Sequence, residues 1–116
     1  MALGSLEAQV MAVMWAAGGP LTVREALDSL NESRGAPLAY TTVLTVMRHL
    51  AGKGALARTA RGRGHVYAPA VADEAALAVQ DVIQAYGSAA LSRFVDQAST
   101  DPALLKRLQA LMEERA

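Results

Sequence analysis

One stretch of this chain decides its fold, and it runs Leu38-Ala39-Tyr40-Thr41-Thr42-Val43-Leu44-Thr45-Val46-Met47-Arg48-His49-Leu50. Its spacing predicts a helix from Tyr40 to Lys53, with Gly54 as C-cap. At about 100° per residue, the apolar side chains fall on one side of this helix and the hydrogen-bonding ones on the other. The apolar side holds Val43, Val46, Met47 and Leu50, and the opposite side holds Thr41, Thr45, Arg48, His49 and Gly52.

The polar side of this helix is unusual for a solvated surface. Such surfaces usually carry paired Glu and Lys residues. This one carries hydroxyls, a guanidinium and an imidazole, with no acid. These groups suit a groove lined with base edges and phosphates.

Positive charge is concentrated around the same segment. From Ser33 to Ala72 there are six basic residues and no acidic one, although the formal net charge of the chain is zero. The six are Arg34, Arg48, Lys53, Arg58, Arg61 and Arg63. Cations without neighbouring carboxylates attract phosphates, so a nucleic acid is the expected partner. Solvated loops also carry such charges, and clustering alone leaves both interpretations open.

Two helices are predicted before this segment. The first spans Ser5–Ala17, with Ser5 as N-cap and Gly18-Gly19-Pro20 after its end. Its apolar stripe consists of Leu6, Val10, Val13 and Met14, widened by Met11 and Trp15, and we expect Trp15 in the core. Thr22 and Glu25 form a capping box that opens the second helix, which runs to about Asn31. The core side of that helix is Val23, Ala26, Leu27 and Leu30.

A short hairpin is predicted after Gly54. Residues 55–59 and 66–68 are strand candidates that flank Arg61-Gly62-Arg63-Gly64, whose glycines allow the positive φ angles of a tight turn. The pair makes a β-wing with Arg61 and Arg63 at its tip and His65 alongside. The alternative is an exposed turn with incidental charges, which the preceding helix-turn-helix pattern disfavours.

Three more helices are predicted beyond Pro69, over 73–86, 88–98 and 101–115, the last capped by Asp101 with Pro102 in its first position. Two apolar stripes follow them, one of Leu91, Phe94, Val95 and Ala98, the other of Leu104, Leu105, Leu108, Leu111 and Met112. Because the tail is too short to bury these stripes within itself, we expect a second copy of the chain to cover them. Folding of the tail onto its own N-terminal domain is the alternative.

These elements predict a mainly α fold. A winged helix-turn-helix DNA-binding domain with a small two-stranded β-wing occupies residues 1–71, and helical dimerisation elements occupy residues 72–116. The longest uncharged run has sixteen residues and contains Gly18-Gly19-Pro20, so it falls short of a membrane span. The N-terminus lacks the pattern of a secretory signal. We therefore expect a cytoplasmic protein with no direct membrane insertion.

Neither catalysis nor a bound cofactor is expected. The chain has no cysteine, which excludes disulfides and thiolate ligands. It has no glycine-rich phosphate loop, and no acid lies near either histidine in the sequence. His49 and His65 alone fall short of a structural zinc set, so we expect no metal.

The sequences of several segments resemble those of the penicillinase repressor family (the BlaI/MecI type). The similar segments are Leu3-Gly4-Ser5-Leu6-Glu7, Met14-Trp15, Leu38-Ala39-Tyr40-Thr41-Thr42-Val43, Thr45-Val46, Arg48-His49-Leu50 and Lys53-Gly54. The resemblance implies a homodimeric winged-helix repressor that binds inverted-repeat operators. Such operators control β-lactamase or related cell-wall genes, which implies a role in antibiotic resistance.

The resemblance also implies roles for particular residues. Tyr40, Thr41, Thr42, Thr45 and Arg48 match the recognition helix of the family, and Arg61, Arg63 and His65 occupy its wing. Family members are released from DNA when a membrane-bound sensor-protease triggers cleavage in the C-terminal region. Arg93-Phe94 matches that neighbourhood, with Arg93 where well-studied members have Asn.

We predict that the recognition helix enters the major groove of double-stranded DNA. Arg48 then bonds a guanine edge or a phosphate, and the threonine methyls touch thymine methyls. His49 and His65 either make polar DNA contacts or are satisfied surface histidines. For Tyr40, packing of the ring on the core and a DNA contact both remain open. Two alternative functions also remain, a repressor controlled by a small ligand and a winged-helix protein-interaction module.

Overall fold

Six helices and one antiparallel hairpin make up the part of the chain that this computed structural model describes, residues 3–116. In chain order they are α1 (Ser5–Ala16), α2 (Val23–Asn31), α3 (Tyr40–Gly52), β1 (Leu56–Arg61), β2 (Gly64–Pro69), α4 (Glu74–Tyr86), α5 (Ser88–Ser99) and α6 (Pro102–Arg115). The predicted class, mainly α with a winged helix-turn-helix, is confirmed.

The chain divides into two compact units, one ending at Ala78 and the other covering Val79–Ala116. The first unit includes the start of α4, because Leu77 is buried in its hydrophobic core. The functional boundary that the sequence suggests after residue 71 stays a prediction.

The helix starts follow from local hydrogen bonds. In α2 the predicted capping box is confirmed, since the Thr22 N–H donates to Glu25 Oε1 (2.9 Å) and the Glu25 N–H donates to Thr22 Oγ1 (3.1 Å). In α1 the prediction of Ser5 as N-cap is wrong, and the N-cap is Gly4. The Gly4 N–H donates to Glu7 Oε1 at 3.1 Å, so the cap lies one residue before the predicted one.

Only one side of helix α3 packs into the hydrophobic core. Val43, Met47 and Leu50 are 0% exposed and pack with side chains of α1 and α2 in the core of the first unit. Val46, predicted for the same side, lies at the margin of the core and is only partly buried, as is Leu44. The four predicted core residues of α2 are all buried.

Helix α3 ends one residue earlier than predicted. Its last residue is Gly52, and Lys53 is the C-cap. Gly54 follows with φ +85°, a left-handed conformation that favours glycine. The Ala55 N–H donates to the Leu50 carbonyl (2.9 Å) and the Gly54 N–H donates to the Ala51 carbonyl (3.2 Å). These two bonds are a Schellman motif, which satisfies the last carbonyls of the helix and directs the chain into β1.

The hairpin is longer and its turn tighter than predicted. Arg61 pairs with Gly64, which leaves only Gly62 and Arg63 in the turn, and Gly62 has φ +60°. A positive φ at the first turn position is the feature that fits a two-residue hairpin loop to twisted strands. Leu21 adds a third, short segment, because it exchanges backbone hydrogen bonds of 2.9 and 2.8 Å with Tyr67 of β2.

A side chain closes the turn between α2 and α3. Asn31 Oδ1 accepts from the Leu38 N–H at 2.8 Å, and Asn31 Nδ2 donates to the Leu38 carbonyl at 3.3 Å. One amide therefore satisfies both backbone groups of the residue two positions before α3. The side chain of Trp15 also bonds a distant backbone group. Its partly buried indole N–H donates to the Val71 carbonyl at 3.0 Å.

The second unit is built from the rest of α4 with α5 and α6. Asp101 caps α6 as predicted, since its carboxylate accepts from the N–H groups of Ala103 (3.1 Å) and Leu104 (3.2 Å). Ala98 is buried, but most of the predicted apolar stripes remain at the surface of the single chain. Within residues 3–116, no helix is long and apolar enough to cross a lipid bilayer.

Replacing Asn31 tests the closure of the α2–α3 turn. We expect Asn31→Ala to lower the free energy of unfolding by about 1–2 kcal/mol, because the partly buried Leu38 peptide groups lose both partners. Urea denaturation measures the change. Ser29→Ala, an exposed change on the same helix, is the control, and equal effects of the two variants would contradict the assignment.

Glu25 makes stability depend on pH in the acid range. The hydrogen bond from the Thr22 backbone, a side-chain bond from Thr22 and the nearby Arg61 charge hold the pKa of Glu25 below its ordinary value of 4.5. The folded state therefore favours the carboxylate, so its contribution is complete above pH 4.5 and is lost as the pH falls through the lowered pKa.

Glu25→Gln keeps an oxygen for the Thr22 N–H but removes the charge. In urea unfolding over a pH series, we expect the stability difference between parent and variant to be constant near neutrality and to shrink on the acid side. Glu32→Gln, at the opposite end of α2, is the matched control. Parallel curves for parent and Glu25→Gln through the acid range would refute this account.

Candidate nucleic-acid interface

The polar side of α3 lies at the surface of the first unit. Thr41, Thr45, Arg48 and His49 are all exposed, and so is Thr42 at the start of the helix. They face outward because the opposite side of the helix is locked into the core by three fully buried residues. The surface they form is rigid, since it belongs to a helix rather than to a loop.

Thr45 has a defined hydrogen-bonding role within this surface. Its Oγ1 donates to the Thr41 carbonyl at 2.9 Å, so its hydroxyl proton is used inside the helix. What remains available to a partner is the methyl group and the acceptor lone pairs of the hydroxyl oxygen.

Tyr40, the first residue of α3, does not belong to the buried core. Its side chain is 44% exposed, and the guanidinium carbon of Arg24 lies 5.8 Å from its ring centroid. This distance is within the range of a cation–π interaction. The aromatic ring therefore orients a cation that α2 supplies.

A cleft separates α3 from the hairpin. It measures about 460 Å³, and its basic lining consists of Arg24 from α2, Arg48 from α3, Arg61 from β1 and His65 from β2. Arg48 also borders a second, more open cleft of about 630 Å³, which it shares with Arg58 of β1. Arg48 therefore stands between two concave surfaces that both carry positive charge.

Two of the six basic residues in the window are engaged elsewhere. Lys53 Nζ lies 3.5 Å from Glu7 Oε2, and only 14% of the Lys53 side chain is exposed. Arg34 donates to Gln9 Oε1 (2.9 Å) and to the Ala36 carbonyl (3.3 Å). Both cations tie the α2–α3 region to α1 and are withdrawn from the open basic surface.

The other four basic residues of the window are exposed and form no ion pair within residues 3–116. They are Arg48, Arg58, Arg61 and Arg63. His49 is different, because its Nε2 lies 3.6 Å from Glu7 Oε2, the same oxygen that Lys53 approaches. No cluster of three His, Asp or Glu side chains suited to a metal ion exists in the described part of the chain.

The structure adds two residues that the sequence analysis did not select for the site, Arg24 and Arg58. Arg58 belongs to the basic window, but its position beside Arg48 depends on how β1 leaves α3. Arg24 lies outside the window and next to Glu25 in the sequence, so no local pattern signals it. Only the packing of α2 against α3 brings it to Tyr40 and the cleft.

Comparisons with known proteins agree with this geometry. The sequence profile of the penicillinase repressor family matches residues 3–114. The chain is 40% identical, over 96% of its length and 85% of theirs, to the transcriptional regulator BlaI of two Mycobacterium tuberculosis strains, CDC 1551 and H37Rv.

A solved structure is similar as well. It is the solution structure of the monomeric form of Bacillus licheniformis BlaI in complex with the blaP half-operator. The similarity has a TM-score of 0.52 and 28% identity, and it covers 65% of this chain and 87% of that one.

Proposed function

This chain belongs to the penicillinase repressor family, and we propose that it is a sequence-specific DNA-binding transcriptional repressor. The observation that carries the proposal is the exposed side of α3, where threonines and Arg48 face outward between two basic clefts. The similarity to a BlaI structure that contains half-operator DNA supports it.

In this proposal α3 lies in the major groove. Arg48 bonds O6 and N7 of a guanine, or a phosphate, and the Thr45 methyl group contacts a thymine methyl. Thr41, Thr42 and His49 extend the same surface. At the N-terminal end of the helix, the Tyr40 hydroxyl reaches the DNA backbone. Contacts with base edges select the sequence, and contacts with phosphates set the register.

The hairpin contributes affinity rather than sequence choice. Arg61 ends β1, Arg63 lies in the tight turn and His65 follows in β2, so these side chains reach the DNA backbone or minor groove beside the site of α3. Neutralising phosphates releases counterions, and this gain is the same for any sequence.

We further propose that the repressor is a homodimer on a pseudo-palindromic operator. The second unit exposes large apolar side chains, among them Leu91, Phe94 (47%), Val95 (54%), Leu104 and Met112, while Leu105, Leu108 and Leu111 are partly buried. A second copy of the same helices covers this surface in an isologous interface. Two recognition helices then face two half-sites.

The regulated genes in this proposal are those of β-lactamase or cell-wall stress, and repression ends by proteolysis in the C-terminal region under a membrane sensor-protease. Arg93 and Phe94 lie in the middle of α5, so a cut between them separates α6 from the DNA-binding unit. The helix must first unwind locally to enter a protease. Since its target is chromosomal DNA, the repressor works in the cytoplasm.

Selection of bound sequences from random duplex DNA tests the function directly. We expect the purified protein to enrich a pseudo-palindrome whose half-sites lie about one or more helical turns apart. Enrichment of no sequence, together with no duplex binding at low salt, would overturn the proposal.

Replacing Arg48 and replacing Arg63 are expected to weaken DNA binding in different ways. Arg48→Ala should cost about 1–3 kcal/mol on the selected operator and relax its sequence preference, because a base contact is lost. Arg63→Ala should weaken operator and unrelated duplex equally. Titrations of both duplexes at several salt concentrations measure these effects. Identical operator binding by Arg48→Ala and the parent would contradict the role of Arg48.

The exposed apolar surface of α5 is expected to hold the dimer. Phe94→Ser combined with Val95→Ser should give a folded monomer in sedimentation experiments, because both side chains are exposed in the single chain. Binding to the full operator should fall about 100-fold or more, since two linked half-site contacts become independent. Binding to an isolated half-site should be unchanged, and a variant that remains dimeric would refute this interface.

A further inference from the structure

We propose that Arg24 of α2, with Arg61 and His65 across the cleft, binds one phosphate of the DNA backbone beside the base-reading surface of α3. The inference rests on the proposed DNA-binding function and extends it to a helix that lies before the basic window. The ligand class is a phosphodiester of duplex DNA.

The first observation is the charge of the cleft. Three guanidinium groups and an imidazole from α2, α3, β1 and β2 line it, and no Asp or Glu is among the lining residues that the structure describes. Like charges that converge on one concave surface repel each other. A phosphate relieves this repulsion and can accept paired N–H bonds from guanidinium groups.

The second observation is the position of Arg24 in its helix. It lies in the first turn of α2, where the positive end of the helix dipole disfavours a cation. The Thr22–Glu25 capping box already completes this helix start, and Arg24 forms no ion pair within residues 3–116. A cation that is unfavourable for its own helix and gains no ion pair in return is a candidate for a functional role.

The third observation is the orientation of its side chain. The Tyr40 ring lies 5.8 Å from the guanidinium carbon and holds the cation at the cleft. An arginine held by an aromatic ring retains N–H donors for an anion and loses less side-chain freedom on binding. Tyr40 therefore acts as a positioning residue for Arg24.

Glu25 is the acidic neighbour that could oppose this role. Its carboxylate is near enough to Arg61 for that charge to lower its pKa, but Oε1 is occupied by the Thr22 N–H and Glu25 does not line the cleft. It offsets part of the Arg61 charge, and neither Arg24 nor His65 forms an ion pair within residues 3–116.

The test is a double-mutant cycle between the protein and single phosphates. The parent and Arg24→Gln are titrated with a set of selected operator duplexes, each with one phosphate per half-site replaced by an uncharged methylphosphonate. We expect one replacement to weaken the parent about tenfold and to weaken Arg24→Gln clearly less, because only Arg61 and His65 still contact that phosphate in the variant. We also expect the slope of log K against log salt to fall by about 1 for each Arg24 that binds a phosphate.

Controls separate this contact from a structural role. Lys106→Gln removes the same charge from the side of α6 opposite its apolar stripe and should leave the slope unchanged. Tyr40→Phe should keep the coupling between Arg24 and the phosphate, whereas Tyr40→Leu should weaken it. Arg24→Gln should be at least as stable as the parent in urea, because its first-turn cation is gone.

Two results would overturn the inference while leaving the proposed function intact. One is an Arg24→Gln salt slope equal to that of the parent, and the other is independent losses at every phosphate position. Failure of the parent to bind any duplex would instead defeat the proposed function itself.

Discussion

The burial of one side of α3 is the constraint on which the rest of this structure depends. Val43, Met47 and Leu50 are 0% exposed in the core of the first unit, so the helix can neither rotate nor slide without opening that core. The opposite side is therefore presented to solvent in a fixed orientation. The two hydrogen bonds between Asn31 and Leu38 before the helix and the Schellman motif after it fix its two ends. A recognition surface of this kind loses little conformational entropy when it binds.

The same packing sorts the basic residues into two classes. Lys53 and Arg34 are drawn into contacts with α1, so they stabilise the arrangement of the first three helices. Glu7 has a central part in this, because one of its oxygens caps α1 while the other lies near both Lys53 and His49. Arg48, Arg58 and Arg61 line the two clefts, and none of them forms an ion pair within residues 3–116. The count of six basic residues in the window from Ser33 to Ala72 therefore overstates the number of cations available to a polyanion.

The second unit has the opposite character. Asp101 caps α6, but the helices of this unit expose large apolar side chains, among them Phe94 and Val95, which a monomer in water would not favour. The mechanism that we propose joins the two surfaces, with α3 reading half of an operator and the apolar helices bringing in a second copy for the other half. Affinity for a palindrome then depends on both units, and loss of the second one weakens binding without altering base recognition.

The sequence by itself determined the elements of this protein, and the tertiary structure decided their connections. The Thr22–Glu25 box, the core side of α2 and the two sides of α3 were predictable, since each depends on residues within one or two helical turns. The marginal burial of Val46 and the pairing of Leu21 with Tyr67 depended on neighbours that local spacing does not show. The contact of Arg24 with Tyr40 and the capture of Lys53 by Glu7 join residues far apart in the chain. Only the packing of α1, α2 and α3 creates them, because charge pairing is set by distance in space and helical periodicity carries no information about it.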